Sequence, residues 1–206
     1  MTENLTANQA ILRSIWRDRI HTQHDALENS PSETQAAFAH IWAPAESLLD
    51  ALEQFPTQWL DLWLTSGQGH IVLTHTRSVY QGEWINWRAT WLASVCYICI
   101  SDIHQRREPA FHALLHLFDH LLGSGAQPDQ EWFSSGGGIT QEIAQVSARF
   151  LRIHELGYGH KELDVIQAAD YFSHTFWLYL NDPRRLNRLD PLVYRLYHAE
   201  LIRLPL

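Results

Sequence analysis

The chain of 206 residues has few cysteines, no long apolar run and no apolar segment near its beginning. Two cysteines, Cys96 and Cys99, cannot form a framework of several disulfides, and their scarcity favours a reducing compartment. The uninterrupted run of roughly 18 apolar residues that a membrane-spanning helix requires is missing. The first twenty residues also lack the apolar core of a secretory signal peptide. We therefore expect a cytoplasmic protein that neither crosses nor binds a membrane.

Positive charge is scarce as well. Lysine and arginine total 15 against 23 acidic residues, the net charge is −8, and basic residues form no cluster. This balance argues against a nucleic-acid partner. The glycine-rich stretches GSG and SSGGG lack the lysine and the preceding strand of a phosphate-binding loop, and no GxSxG nucleophile motif occurs. The sequence therefore favours neither a P-loop nucleotidase nor a serine hydrolase of that type.

The apolar pattern predicts an α+β protein. Apolar residues make up 46% of the chain and charged residues 18%, which is typical of a compact fold with a substantial core. Residues 71–75 and 84–100 are rich in β-forming side chains. Apolar residues recur at helical spacing in most of the remaining chain. Predicted helices cover 1 to about 30, 33–42, 44–55, 56–64, 109–122, 140–156, 162–181 and a last segment from 191.

The two cysteines and a group of three tryptophans are both predicted to be buried in the core. Cys96 and Cys99 are three apart in a predicted strand, so their side chains face opposite sides and do not share a metal. We predict two reduced, buried cysteines. Trp84, Trp87 and Trp91 lie near a predicted edge strand, where exposed aromatics would indicate a partner surface. Burial in the core is the more common role of tryptophan, and it is the prediction made here.

The segment 112–123, HALLHLFDHLLG, carries the most specific signal. His112 and His116 are four apart, so in a helix both imidazoles project from one face and can share a metal. The residue after the first histidine of a zinc-peptidase HExxH helix is Glu, the base that activates water. Here it is Ala113. The alternative interpretation is a metal-free helix whose histidines lie beside an apolar stripe.

A second predicted helix supplies further candidate ligands. Asp170 and His174 are four apart and therefore share one face of the helix at 162–181. A third zinc ligand from a second helix is how many HExxH enzymes complete their site. The segment His154 to His160 contains a His-Glu pair, but its histidines are six apart and glycines interrupt it, so it predicts a helix end and a loop.

Three segments together resemble the zincin metallopeptidase domains of the anthrax-lethal-factor-like family. The first segment is 55–73. The second is 112–123, which is similar to that family's "HElGHalDhllg" helix. The third is 169–197, which is similar to the family's C-terminal block "EFFAEaFalYl-dP-rLk-daPevYrfl". The resemblance implies a zincin-like α+β fold, mostly helical, with a small mixed sheet at about 70–100. It also implies a helical N-terminal extension at 1–50 and a zincin-like domain at 51–206.

The resemblance also implies roles for single residues. His112 and His116 match the two zinc-binding histidines, and Ala113 stands where the family has its catalytic Glu. Asp170 falls at the third zinc ligand, a Glu in the family, and His174 at a second Glu of that block. These matches make Zn²⁺ a candidate cofactor, held by His112, His116, Asp170 and His174. The chain therefore differs from the family at the positions of its catalytic and metal-binding residues.

Three functions stay open at this point. The first is a degenerate zincin, a pseudopeptidase that binds a peptide or protein and keeps a metal. The alternative is an active zinc-dependent metallopeptidase or hydrolase with a rearranged site, whose base is Asp119, Asp170 or Glu155. The third is a helical interaction protein without a metal. They differ in whether the chain binds metal and whether it cleaves peptides.

Overall fold

A computed structural model describes residues 2–105, 108–127, 129–157, 163, 167–204 and 206, and their side chains from residue 7 onwards. The chain divides into two compact units, Met1–Leu114 and Leu115–Leu206. The boundary between the units falls inside one helix, which both units share. The predicted division at residue 50 concerns ancestry, which compactness does not test, and it stays a prediction.

Within its described residues, the first unit contains a mixed sheet and five helices of its own. The helices are α1 (Thr2–Arg19), α2 (Ser32–Ala37), α3 (Ala43–Leu52), α4 (Thr57–Thr65) and α5 (Ile100–His104). The strands are β1 (Ile20–Thr22), β2 (His70–Thr74), β3 (Val79–Tyr80), β4 (Ile85–Trp87), β5 (Thr90–Leu92) and β6 (Val95–Cys99).

Four of these strands form the sheet in the order β1, β2, β6, β3. β1 and β6 pair with β2 in parallel, and β3 pairs with β6 in the antiparallel sense. Every residue of β2 is buried, as expected for a central parallel strand. The predicted mixed sheet is therefore confirmed, and β1 extends it beyond the predicted range.

The strands β4 and β5 form a separate two-stranded hairpin. Arg88 and Ala89 between them both have positive φ, 47° and 67°, which is the backbone of a two-residue type I′ turn. Trp84 and Trp91 are exposed, at 51% and 63% of their surfaces, so the prediction that they are core residues is wrong. Trp87 is partly buried against a small cluster around Val72. The strands are too short to bury large side chains on both faces.

The second unit is helical. The shared helix α6 (Glu108–Ser124) leads into α7 (Gln141–Leu156), α8 (Ala168–Asn181), α9 (Pro183–Leu189) and α10 (Pro191–Ala199). Thr140 caps α7 by accepting a hydrogen bond from the amide of Ile143, as its position before the helix predicts. Packed rings form the centre of the unit, with Phe172 in contact with Phe133, Phe150, Phe176 and Tyr197.

Element boundaries depart from the sequence-based predictions at several points. α1 ends at Arg19 rather than near residue 30, because the chain enters β1 there. α6 continues one residue past Gly123, and α9 lies in a stretch where no helix was predicted. The predicted start of α8 at 162 and His160 lie outside the described residues.

Two further expectations can be compared with the structure. Cys96 and Cys99 are buried free thiols in β6, as predicted. Among the residues that the structure describes, no helix is long and apolar enough to cross a membrane.

Candidate functional site

The candidate metal ligands His112 and His116 lie on helix α6. Between Ala110 and Gly123, they are the two residues whose side chains are partly exposed. Every other residue in that stretch is buried, because leucines and phenylalanines fill the remaining faces. His112 and His116 are one turn apart and follow the same helix face, as their spacing predicts. Ala113, at the position of the zincin general base, is 3% exposed.

The two histidines have different carboxylate neighbours. In the first unit, Nε2 of His112 lies 3.1 Å from Oε1 of Glu108, one turn earlier in α6. Glu108 was not among the predicted site residues, although its spacing of four before His112 is a signal that sequence contains. In the second unit, Nε2 of His116 lies 3.3 Å from Oδ1 of Asp170 at the start of α8. His116 and Asp170 are two of the four predicted metal ligands, and their side chains are in contact.

A serine fixes the orientation of the His116 ring. The hydroxyl oxygen of Ser173, a buried residue of α8, lies 3.1 Å from Nδ1 of His116 and 3.0 Å from the carbonyl oxygen of Ala169. A carbonyl oxygen only accepts, so the serine donates its proton to Ala169 and accepts from a protonated Nδ1. In the neutral imidazole, this arrangement leaves the lone pair on Nε2, which faces Asp170.

The spacing of His116 and Asp170 suits a shared cation. Two acceptor atoms 3.3 Å apart repel each other unless positive charge lies between them. A proton on Nε2 supplies that charge and gives a histidinium–aspartate pair. A zinc ion also supplies it, since ligands at about 2.0–2.2 Å in tetrahedral geometry are about 3.3 Å apart. The pair therefore fits two of the ligands of one divalent metal.

His174 lies on the same helix as Asp170, one turn later and on the same face. Its side chain is partly buried, and an imidazole at this position is a suitable zinc ligand. More generally, the described part of the chain offers residues able to hold a metal ion.

An aromatic side chain that the sequence analysis missed borders His116. The indole of Trp132 has its centroid 5.8 Å from the ring of His116 and stacks on His120 at 5.3 Å. His120 donates from Nε2 to the carbonyl of Gln127 at 2.8 Å, and burial lowers its pKa. His120 is therefore a neutral, structural histidine. Trp132 lies in an irregular loop, where periodicity gives no indication of contacts.

The acidic residues proposed as alternative bases have contrasting environments. Asp119 is fully buried and accepts hydrogen bonds from the backbone amide and the hydroxyl of Ser134, at 2.7 and 2.6 Å. Burial raises the pKa of Asp119 to about 7 despite these two bonds. Its environment is that of a residue fastening α6 to the loop after it. Glu155 is exposed near the end of α7, and Asp170 is the one carboxylate of the three that contacts a candidate metal histidine.

Comparisons of the chain with protein-family models, with curated proteins and with solved structures find no match.

Proposed function

We propose that this protein is a zincin-like pseudopeptidase, which binds a peptide or protein partner and keeps a divalent metal without cleaving its partner. The support for a zincin-like ancestry is the resemblance of three segments, together with a mixed sheet that precedes an HxxxH helix. The order of sheet, α6 and helical C-terminal unit agrees with what that resemblance implies.

One observation carries the proposal. The ligand-type pair His116 and Asp170 is in place at 3.3 Å, while the position of the general base is a buried alanine, Ala113. The residues that hold a metal are thus retained and the residue that activates water is absent. Loss of a general base costs about 10²–10⁴ in rate. The arrangement favours binding over turnover.

In this proposal the metal is held by His116 and Asp170. Zinc prefers this combination of imidazole nitrogen and carboxylate oxygen. Ser173 holds the His116 ring in the tautomer that points Nε2 at the metal, which is the usual role of a hydrogen-bond partner behind a ligating histidine. When bound, the metal would act as a Lewis acid toward a carbonyl or carboxylate of the partner.

The active metallohydrolase is the alternative that one observation favours. The side chain of Asp170 is 46% exposed, so its carboxylate is open to water and could act as the base. Asp170 cannot serve both as a metal ligand and as a free base in the same step. The two functions therefore give opposite results in a cleavage assay.

The assay is incubation of the zinc-supplemented protein with a diverse peptide mixture, followed by mass spectrometry of the products. We expect the wild type and the His116→Ala variant to give the same low background. Cleavage that is lost both in His116→Ala and on chelation, but kept in the exposed control His40→Ala, would establish the hydrolase and refute the pseudopeptidase.

A further inference from the structure

The second unit carries a groove between α7 and α10 with a volume of about 590 Å³. This is the size of a site that holds a ligand or a few side chains of a partner. Apolar side chains from both helices line it, including Ile153, Leu156, Leu192 and Leu196. Leu156 is 48% exposed and adds apolar surface to the groove.

Arginines border this apolar groove. Three of them, Arg149, Arg152 and Arg195, contribute to its lining, and all three are exposed. Their concentration contrasts with the net charge of −8 of the whole chain. Arginine combined with exposed apolar surface is the composition of binding hot spots in protein interfaces.

The groove already holds one carboxylate. Glu200, which also lines it, forms an ion pair with Arg149. The guanidinium groups along the groove are therefore positioned to bind carboxylates, whose planar geometry they match. Arg152 and Arg195 extend the same positive surface on either helix.

We propose that this groove, formed by α7 and α10, binds an acidic amphipathic segment of a partner protein. Apolar side chains of the segment occupy the leucine- and isoleucine-lined floor, and its carboxylates pair with the arginines. Phosphates alone would leave the apolar lining uncovered, so nucleic acid fits less well. The inference rests on the proposed binding function and names the chemistry of the partner, but it uses none of the candidate metal ligands.

The probe is a short fluorescein-labelled peptide with leucines at every third or fourth position and glutamates elsewhere, and its affinity is measured by fluorescence polarisation. A matched peptide with lysines in place of the glutamates is the control. We expect the acidic peptide to bind more tightly, and added salt to weaken it because salt screens the charge pairs. Equal affinity for the two peptides would overturn the proposal.

Variants locate the binding surface. Arg152→Glu and Leu156→Ala should each weaken the acidic peptide about tenfold or more, as hot-spot residues do. Arg184→Glu, on exposed α9 outside the groove, makes the same charge change and should leave the affinity unchanged. If Arg152→Glu and Arg184→Glu lower the affinity for the acidic peptide equally, the effect is one of overall charge and the groove is not the binding site. Circular dichroism checks that each variant is folded.

Two other occupants give distinct results that also refute the proposal. Concentration-dependent dimers that Arg152→Glu abolishes, with no peptide binding, would assign the groove to a second copy of the chain. Binding to vesicles of anionic phospholipid, without peptide binding, would assign it to a membrane surface. Repeating the peptide titration with His116→Ala separates the two proposals, since the groove should bind equally well when the metal site fails.

Discussion

At the scale of single residues, Asp119 shows how an acidic side chain next to candidate metal ligands in sequence can have a structural role. Its carboxylate is buried among apolar side chains of α6 and is bonded twice by Ser134. Because its pKa is about 7, against about 3.9 in an unfolded chain, the folded protein retains a proton that the unfolded chain releases. The contribution of Asp119 to the stability of the folded state is therefore fully present below about pH 4 and is lost as the pH rises through about 7.

We predict a pH-dependent stability from this carboxyl group. Between about pH 4 and pH 7, stability should fall as pH rises, by at most about 1.4 kcal/mol per unit for one proton. Asp119→Asn removes the titration while keeping one acceptor and one donor for Ser134. Urea denaturation at several pH values should show the wild type losing stability relative to the variant across this range. If the free energies of unfolding of the wild type and the variant differ by the same amount at every pH, the pKa of Asp119 is not raised.

Ser173 provides a second test at the residue scale. Removing its hydroxyl in Ser173→Ala frees the His116 ring and the Nδ1 proton, so zinc affinity should fall by about 10- to 100-fold, as for other partners of ligating histidines. The matched control is Ser147→Ala, a buried serine of the same unit that donates to the carbonyl of Phe133. Equal zinc affinity in the two variants would show that Ser173 does not orient a metal ligand.

At the scale of elements, α6 is held by close backbone contacts as well as by its apolar faces. A Cβ atom at Gly123 would lie 2.4 Å from the carbonyl oxygen of Glu131 and 2.5 Å from the amide nitrogen of Phe133. Glycine therefore allows the loop that carries Trp132 to pass directly over the end of the helix. This packing explains why α6 continues through a glycine that the sequence marks as a helix end.

The prediction for this element is that Gly123→Ala destabilises the protein by about 1–3 kcal/mol, the range for overpacked sites, despite the better helix propensity of alanine. The neighbouring Ser124→Ala, at a partly buried position, should change stability by much less. Chemical denaturation of both variants measures the difference. If the Gly123→Ala variant is more stable than the wild type, the loop at Glu131–Phe133 does not pass close to the helix at residue 123.

Sequence patterns were sufficient for elements with strong local signals. Thr140 and Asp190 mark helix starts by capping chemistry, and the alternation around Cys96 marks a buried strand. β1 was missed because three residues are too few for a period, and its pairing with β2 is a tertiary contact. The exposure of Trp84 and Trp91 was mispredicted because hydrophobicity alone does not show whether a hairpin is covered.

The sequence likewise predicted some features of the candidate site and not others. Spacing gave His112 with His116 and Asp170 with His174, because helical periodicity is local. Asp170 was a candidate ligand because many HExxH sites take a ligand from a second helix, but its contact with His116, like the roles of Ser173 and Trp132, is visible only in the fold. Side chains that orient a ligand lie far from it in sequence and follow no fixed spacing.

At the scale of the whole molecule, the chain forms two compact units. The first unit contains the mixed sheet and an exposed tryptophan hairpin. The second contains the His116–Asp170 pair and the arginine-bordered groove. In the proposed function, His116 and Asp170 hold a metal while Ala113 replaces the base, so the protein recognises a partner rather than processing it.

The most direct test of this account is the zinc content of the purified, zinc-exposed and dialysed protein, measured by inductively coupled plasma mass spectrometry. We predict about one zinc per chain in the wild type and in the exposed control His40→Ala, consistent with one site of this ligand type. His116→Ala and Asp170→Ala should both lose it. A wild type without zinc, or zinc that remains in both ligand variants, would contradict the proposed metal site.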